Sequence, residues 1–562
     1  MFTPKVCRVL LIGLVAANVG AQEEGPTVTI PDGEILGAVN YTANENLTFY
    51  SFRGIPYAKP PTGNLRFAAP VENDAWNGTF NATYERDICT QLAGTIALTN
   101  NVVLGSEDCL HVNVYTTNIT GNLPVMVWIH GGTFQAGSNS IGEFPPDYFL
   151  EKGVIMAAIN YRLGVFGFLS TSDSSASGNW GLKDQVLALK WVKNNIQYFG
   201  GDPDNITIFG ESAGAASISY LVQSNQTQGL FKAAIMQSGS SLCHWTLSLS
   251  PEEKASRVGL RLGIITFSSE TLINRLRAVD YRSLKLAENN VTVESYLVDD
   301  LLAGLPWGPV YEPDIEGAFF TTNNRSWLEY SEGNFQRVPM IMGFNSNEAG
   351  AVTDYIAYVL PVLAEYSVDV QRFTPIDMTS NFFRRITVGA TIRTHYFGVL
   401  PLSSQGSNLS YFISLDQFVR PIREQATQAS KYVDVFYYRF SYKGLLGDSD
   451  NGTIGVGHAE ELNYLFNLNN TVSAQDKVVR DQMVTLWTNF AKTNNPTPDP
   501  ESDSVLGTTV WEVNNATTNA SSSILYLDIG NSLTMNSNPV QEDWEFYQDL
   551  YATNGDDDYS TY

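Results

Sequence analysis

A serine between two glycines, Gly210-Glu211-Ser212-Ala213-Gly214, is the group in this chain best suited to covalent chemistry. Its placement gives the motif its meaning. The residues 206–209 before it read as a short β-branched strand, and 213–221 after it are rich in small, helix-compatible residues. Between a strand and a helix, the glycines permit a sharp turn that leaves the Ser212 hydroxyl exposed at the sheet edge. A serine hydroxyl is a weak nucleophile at neutral pH. It needs a base within hydrogen-bond reach and an acid that orients the base.

Five histidines are available. Serine chemistry on a strand-turn-helix elbow runs in the chain order serine, acid, histidine, so His111 and His130 come too early. His244 follows a predicted strand beside Cys243 and reads as a packed core residue, and His395 lies in a helix or loop with no adjacent strand. His458 fits best, in the glycine-rich stretch Gly455-Val456-Gly457-His458-Ala459 beyond a strong strand at 433–438. For the acid, Glu348 directly follows the strand-like run 338–344, whereas Asp354 lies further on and Asp314 sits in a proline-bearing loop. Acyl transfer also needs donors for a developing oxyanion. The loop His130-Gly131-Gly132-Thr133-Phe134 brings backbone amides to the sheet edge, and Gly132, Thr133 and Ala213 are the expected donors. This chemistry calls for no cofactor and no metal.

The elements that must hold these groups alternate between strand and helix. Runs at 125–129 and 154–159 read as strands, and a helix follows Gly181, with Leu182, Val186, Leu189, Val192 and Ile196 spaced along one face. Such alternation predicts a mostly parallel sheet covered by helices. Ligands bind beyond the carboxyl ends of the strands in such sheets, where each candidate residue falls. Residues 251–337 read as helical cover with irregular turns.

With 43% apolar and 16% charged residues, the 562-residue chain can bury a large core. No linker or repeat divides it, so a single domain is expected over 22–555, ahead of an acidic tail at 556–562. A net charge of -25 repels nucleic acid and anionic lipid. Lys5 and Arg8, an apolar run at 9–19 and small residues up to Ala21 predict a secretory signal over 1–21, with no membrane anchor after it. Asn-x-Ser/Thr acceptors at Asn40, Asn46, Asn81, Asn118, Asn225, Asn290, Asn408, Asn469 and Asn519 fit a secreted, extracellular glycoprotein, whereas Asn205 leads into a buried strand. Once Cys7 leaves with the signal, Cys89, Cys109 and Cys243 remain, an odd number. Joining Cys89 to Cys109 would close the most local loop, of about 20 residues, contributing on the order of 3 kcal/mol.

These features resemble the type-B carboxylesterase family, which includes cholinesterases, arthropod esterases and the adhesion protein neuroligin. The resemblance rests on Phe52-Arg53-Gly54-Ile55-Pro56-Tyr57-Ala58, Glu107-Asp108-Cys109-Leu110, Asn160-Tyr161-Arg162-Leu163-Gly164, Phe199-Gly200-Gly201-Asp202-Pro203 and the elbow, and it spans 28–546. It implies an α/β-hydrolase fold, a large mostly parallel central sheet with helices on both faces. It further implies a serine carboxylic ester hydrolase acting on small-molecule esters, the triad Ser212, Glu348 and His458, and a disulfide from Cys89 to Cys109. Trp245 would sit beside the acyl pocket.

The chain looks most like secreted arthropod carboxylesterases, with two departures. Thr133 stands where the family usually has glycine or alanine, and a cysteine often paired with the counterpart of Cys243 is missing, which leaves Cys243 as a buried thiol. Three rivals follow from the same resemblance. An adhesion protein would have lost the nucleophile. A choline esterase would carry an aromatic residue between Cys89 and Cys109, where this chain has none. A juvenile-hormone-type esterase is similar to this chain, but that group often has Gln where Glu211 lies in the pocket.

Overall fold

The computed structural model describes residues 23–93, 101–295, 302, 304–323, 325–350, 362–378, 381–447, 454–468, 472–500, 503–517 and 523–554. The predicted signal at 1–21, the tail at 556–562 and the acceptors Asn469 and Asn519 lie outside these residues.

Twelve strands are used below: β1 (Glu24–Ile30), β2 (Gly33–Tyr41), β3 (Thr48–Pro56), β4 (His111–Thr116), β5 (Leu123–Ile129), β6 (Ile155–Ile159), β7 (Gly201–Glu211), β8 (Ala233–Gln237), β9 (Met340–Asn345), β10 (Val435–Phe440), β11 (Leu525–Ile529) and β12 (Leu533–Ser537). They lie in one sheet in the order β1-β2-β3-β4-β6-β5-β7-β8-β9-β10-β11-β12. The seven strands from β6 to β11 run parallel. Antiparallel pairings build the β1–β4 flank, join β4 to β6 and add β12 at the far edge.

Alternation of side chains explains why helices cover both faces. Successive residues of a strand point to opposite sides, so a strand buried on both reads as a continuous apolar run. Val125, Val127 and Ile129 enter one core with Ile206, Ile208, Met340 and Met342. Met126 and Trp128 enter the other with Phe209, Ile341 and Tyr438. The first core is closed by α1 (Trp180–Asn195), whose predicted stripe from Leu182 to Val192 is buried there, by α2 (Ala213–Gln223) and by α4 (Arg420–Ala429), which follows α3 (Gly406–Ser414). The second is closed by α5 (Ala474–Thr493), through Val479, Met483, Leu486 and Trp487. A reciprocal capping box, Ser473 with Asp476, starts α5, and α6 (Gln541–Asn554) ends the described chain.

This packing fixes the sheet edge on which the candidate residues sit. Trp128, fully buried in the second core near the end of β5, meets Phe209 at 4.8 Å, Phe144 at 4.9 Å and Phe466 at 5.0 Å. Truncating such a residue to alanine costs about 3–5 kcal/mol. Between 251 and 337 the expected helical cover is present as Pro251–Arg261, Ser269–Arg277, Tyr281–Glu294 and Ser326–Glu332. The strand before the elbow begins at Gly201, earlier than its β-branched core suggests, because an irregular register carries 201–205 along β5. Cys89 and Cys109 are disulfide-bonded, and Cys243 is a free, buried thiol.

Candidate active site

Ser212 is the single residue between β7 and α2, and its backbone is strained, with φ 56° and ψ −123°. A non-glycine residue at positive φ costs on the order of 1–3 kcal/mol and is retained where the surroundings enforce it. Here the chain crosses β5 at close range. A Cβ on Gly214 would stand 2.0 Å from the Ile129 carbonyl oxygen, and one on Gly210 2.5 Å from the same atom. Only glycine at both positions lets helix and strand approach, so the turn must be sharp and its serine projects from the edge. The Ser212 N–H donates to the Gln237 carbonyl at 2.9 Å, pinning the elbow to β8.

The oxyanion-loop candidates follow β5. Gly132, Thr133 and Phe134 have successive positive φ values of 100°, 56° and 58°. Thr133 therefore adopts a conformation that β-branched residues avoid, and its hydroxyl donates to the Gly132 carbonyl at 2.7 Å. The same carbonyl accepts the N–H groups of Gln135 and Ala136, both at 3.0 Å, which closes the loop on itself. Among the described residues, the N–H groups of Gly132, Thr133 and Ala213 have no acceptor. Beneath them His130 stacks on Tyr161 at 4.5 Å, and burial pushes its imidazole down to about 4, so it stays neutral.

Glu348 and His458 meet as the sequence predicts. Glu348 is buried three residues beyond β9; Oε1 accepts the Asn345 N–H at 2.6 Å and Oε2 lies 2.7 Å from His458 Nδ1. The loop is tied back to β9, since Asn345 Nδ2 donates to the Gly457 carbonyl at 2.7 Å and the His458 N–H donates to the Glu348 carbonyl at 3.2 Å. His458 Nε2, the nitrogen left to face the elbow, lies 3.1 Å from Oε1 of Glu211, the residue before Ser212. Ser212 Oγ makes no hydrogen bond among the described residues, a common state for such a pair before substrate arrives. His244 and His395 lie elsewhere, the first buried behind the site and the second stacked on Phe546 at 3.9 Å.

Three groups near His458 escaped the sequence reading. Glu461 is buried one turn beyond it, with its carboxylate accepting from Asn345 Nδ2 at 2.5 Å and Gln237 Nε2 at 3.0 Å. An acidic residue three positions after a candidate base was the available signal. Gln237 ends β8 and also accepts from Trp487 Nε1 at 3.0 Å. Phe418 carries no motif at all; its ring lies 4.9 Å from that of His458 and 5.6 Å from that of Trp245. Trp245, 8% exposed, continues the aromatic wall to Phe134 of the oxyanion loop at 6.4 Å.

Electrostatically this is one unit. Burial alone would lower the proton affinity of His458, but the charge of Glu211, the Glu348 hydrogen bond and the charges of Glu348 and Glu461 outweigh it and raise the imidazole to about 9. Burial pushes Glu211 up to about 8 against the pull of His458, and burial with the nearby Glu348 charge pushes Glu461 up to about 7. Protonating Glu211 removes one of the attractions that hold the histidine proton, so these groups titrate as a coupled set.

A parallel sheet with a serine elbow, a carboxylate-bound histidine and free amides at one edge defines a serine hydrolase of the α/β-hydrolase fold. Comparison with known proteins narrows the class. The Carboxylesterase family profile matches residues 24–547. Juvenile hormone esterase of Tribolium castaneum is 34% identical over 523 residues, covering 84% of each chain. Cocaine esterase of Homo sapiens is 31% identical over 510 residues, with 87% of each chain covered. The crystal structure of juvenile hormone esterase from Manduca sexta, with OTFP covalently attached, superposes with a TM-score of 0.81 at 27% identity, covering 94% of this chain and all of that one. The chain belongs to the carboxylesterase family and is a carboxylic ester hydrolase.

Proposed function

We propose that the protein is a secreted general carboxylesterase that works through an acyl-enzyme on Ser212. His458 Nε2 takes the serine proton as Oγ attacks the ester carbonyl, and Glu348, bound to Nδ1, fixes the ring and its tautomer. The oxyanion of the tetrahedral intermediate is stabilised by the N–H groups of Gly132, Thr133 and Ala213, each worth about 3–4 kcal/mol. Collapse returns the proton from His458 to the departing alcohol. Water, deprotonated by the same imidazole, then attacks the acyl-enzyme, releasing the acid and restoring Ser212. Glu211 and Trp245 line the pocket, Glu211 by charge beside the imidazolium and Trp245 by apolar area against the acyl group.

The observation that carries this reading is the 2.7 Å contact between Glu348 and His458 next to a serine held in a strained elbow. It is tested by organophosphate labelling. One adduct per chain, on Ser212, is expected; an adduct on another serine would sink the assignment. Export is supported by the predicted leader, the disulfide and exposed acceptors at Asn46, Asn81, Asn118, Asn225, Asn290 and Asn408. It predicts a secreted, glycosidase-sensitive product beginning after Ala21.

A second reading, hydrolysis of a juvenile hormone ester, is favoured by the relatives from Tribolium castaneum and Manduca sexta. Glu211 in place of the glutamine frequent in that group speaks for the general esterase. Hydrolysis of the hormone ester with a kcat/KM well above that of simple aryl esters would reverse the order. An adhesion role without catalysis is disfavoured by the presence of Ser212, Glu348 and His458 together.

A further inference from the structure

Gln237, the last residue of β8, is fully buried where the elbow, the histidine loop and α5 meet. In the sheet it stands beside Glu211, and its backbone carbonyl accepts the Ser212 N–H at 2.9 Å. Its side chain serves the other half of the site. Oε1 accepts from Trp487 Nε1 at 3.0 Å, and Nε2 donates to Glu461 Oε1 at 3.0 Å. The second oxygen of Glu461 accepts from Asn345 Nδ2 at 2.5 Å. That same nitrogen donates at 2.7 Å to the carbonyl of Gly457, the residue before His458.

The direction of each bond follows from the groups that make it. An indole N–H can only donate, so it meets the oxygen of the Gln237 amide, and the amide nitrogen turns to Glu461. A peptide carbonyl can only accept, so Gly457 orients the Asn345 amide in the same way. Both Glu461 oxygens therefore receive N–H groups from amides already oriented, the pattern that an ionised carboxylate satisfies best. Burial and the Glu348 charge push Glu461 up to about 7, while the Asn345 and Gln237 bonds pull the other way. Around it stand Glu211 from β7, Glu348 beyond β9 and the imidazole of His458. Glu460 turns its carboxylate to the Gly457 N–H at 2.7 Å, and the phenol of Tyr438 on β10, pushed up by burial and these charges, stays neutral.

We infer that Gln237 is a positioning residue: oriented by Trp487, its amide holds Glu461 as a carboxylate beside His458, while its backbone carbonyl holds the elbow of Ser212. One residue thus joins the setting of the base to the anchor of the nucleophile without touching the reacting atoms. This rests on the assignment of Ser212 and His458 made above. The sign of its effect follows from charge. A Glu461 carboxylate favours the imidazolium, so when the Gln237 donor is removed Glu461 keeps its proton and His458 releases its own at lower pH.

The test is the acid limb of kcat/KM for 4-nitrophenyl butyrate, measured on protein whose sites have been counted with an organophosphate. In Gln237→Met, similar in size but without a donor, the limb should move down by about half to one pH unit. Glu461→Gln should move it at least as far. With both changes the limb should stay where Glu461→Gln puts it, because Gln237 acts through that carboxylate. Gln237→Glu sets two carboxyl groups together, which share one proton and keep one negative charge, so its limb should lie at or above the parent's. A limb at the parent's pH in Gln237→Met overturns the inference. So do shifts that add in the double variant, or a Gln237→Glu limb that falls with that of Gln237→Met, because a packing role would not distinguish the two by charge. Gln237→Glu decides the matter even where Gln237→Met does not fold. A parent not labelled at Ser212 sinks the functional assignment and this inference with it. Labelling with an unmoved limb sinks the inference alone.

Discussion

Replacing Glu211 by glutamine keeps the shape of the pocket and removes the charge nearest His458 Nε2. At 3.1 Å, two unit charges in surroundings of effective dielectric ~20 attract by about 5 kcal/mol. Glu211 itself binds a proton up to about pH 8, so only part of this acts near neutrality; about a third of it is a shift of one to two pH units. The sign follows from the reaction. The base must be neutral, the carboxylate favours the imidazolium, and the carboxylate therefore moves the acid limb of kcat/KM upward. In the parent that limb should lie above the ordinary histidine value of about 6.5, in the direction of the raised value of about 9 for His458. In Glu211→Gln it should move down by about one to two units, while the plateau falls by about tenfold because the imidazolium of the transition state loses a partner. The assay is a pH series of 4-nitrophenyl butyrate hydrolysis for both proteins, corrected for spontaneous cleavage. An acid limb at the same pH in both would refute the coupling between Glu211 and His458.

Ser212→Ala should leave the far-UV spectrum intact and lower kcat by on the order of 10⁶, and a fall of less than about a hundredfold would remove Ser212 from the chemistry. In Thr133→Gly, relief of about 1–2 kcal/mol of left-handed strain is offset by a freer unfolded chain and the loss of the hydroxyl bond to Gly132. Its melting temperature should stay within a few degrees of the parent's, and a rate drop of about 10-fold or more would show that threonine holds the oxyanion amides in place. Uncharged aryl esters should exceed acetylcholine by at least about tenfold in kcat/KM, and Trp245→Ala should flatten the dependence on acyl chain length. A preference for acetylcholine contradicts the first statement, and an unchanged chain-length profile returns Trp245 to plain core packing.

The residues legible in the sequence are those whose role forces a local pattern. Ser212 could be read because close approach of α2 to β5 admits only glycine at 210 and 214. Glu348 could be read because it lies in a loop three residues beyond a long apolar strand, His458 because it sits in a glycine-rich stretch later in the chain, and the parallel β5–β10 strands because burial on both faces makes them largely apolar. Glu461, Gln237 and Phe418 belong to ordinary polar or apolar stretches, and only the tertiary fold brings them to the imidazole. In the antiparallel flank, β1 and β2 escaped because they are only partly buried and alternate weakly, and β4, buried throughout, because His111, Asn113 and Thr116 interrupt its apolar run. His244 reads as a core residue in sequence, as its surroundings do. What escaped was that its two carboxylate partners come from segments more than a hundred residues downstream.

The distance along the chain between the partners of the site has a kinetic meaning. Glu348 and His458 are separated by 110 residues; Glu348 follows β9, and the His458 loop, reached in the chain only after β10, is tied back to Asn345 at the end of β9, and both strands are added to the sheet after β7 and its serine elbow. Local helices and the β5–β7 core can form from shorter loops, whereas the histidine cannot meet its glutamate until both later strands have docked. Recovery of esterase activity after dilution from denaturant should therefore lag the recovery of helical ellipticity, and the lag measures the closing of the second half of the sheet.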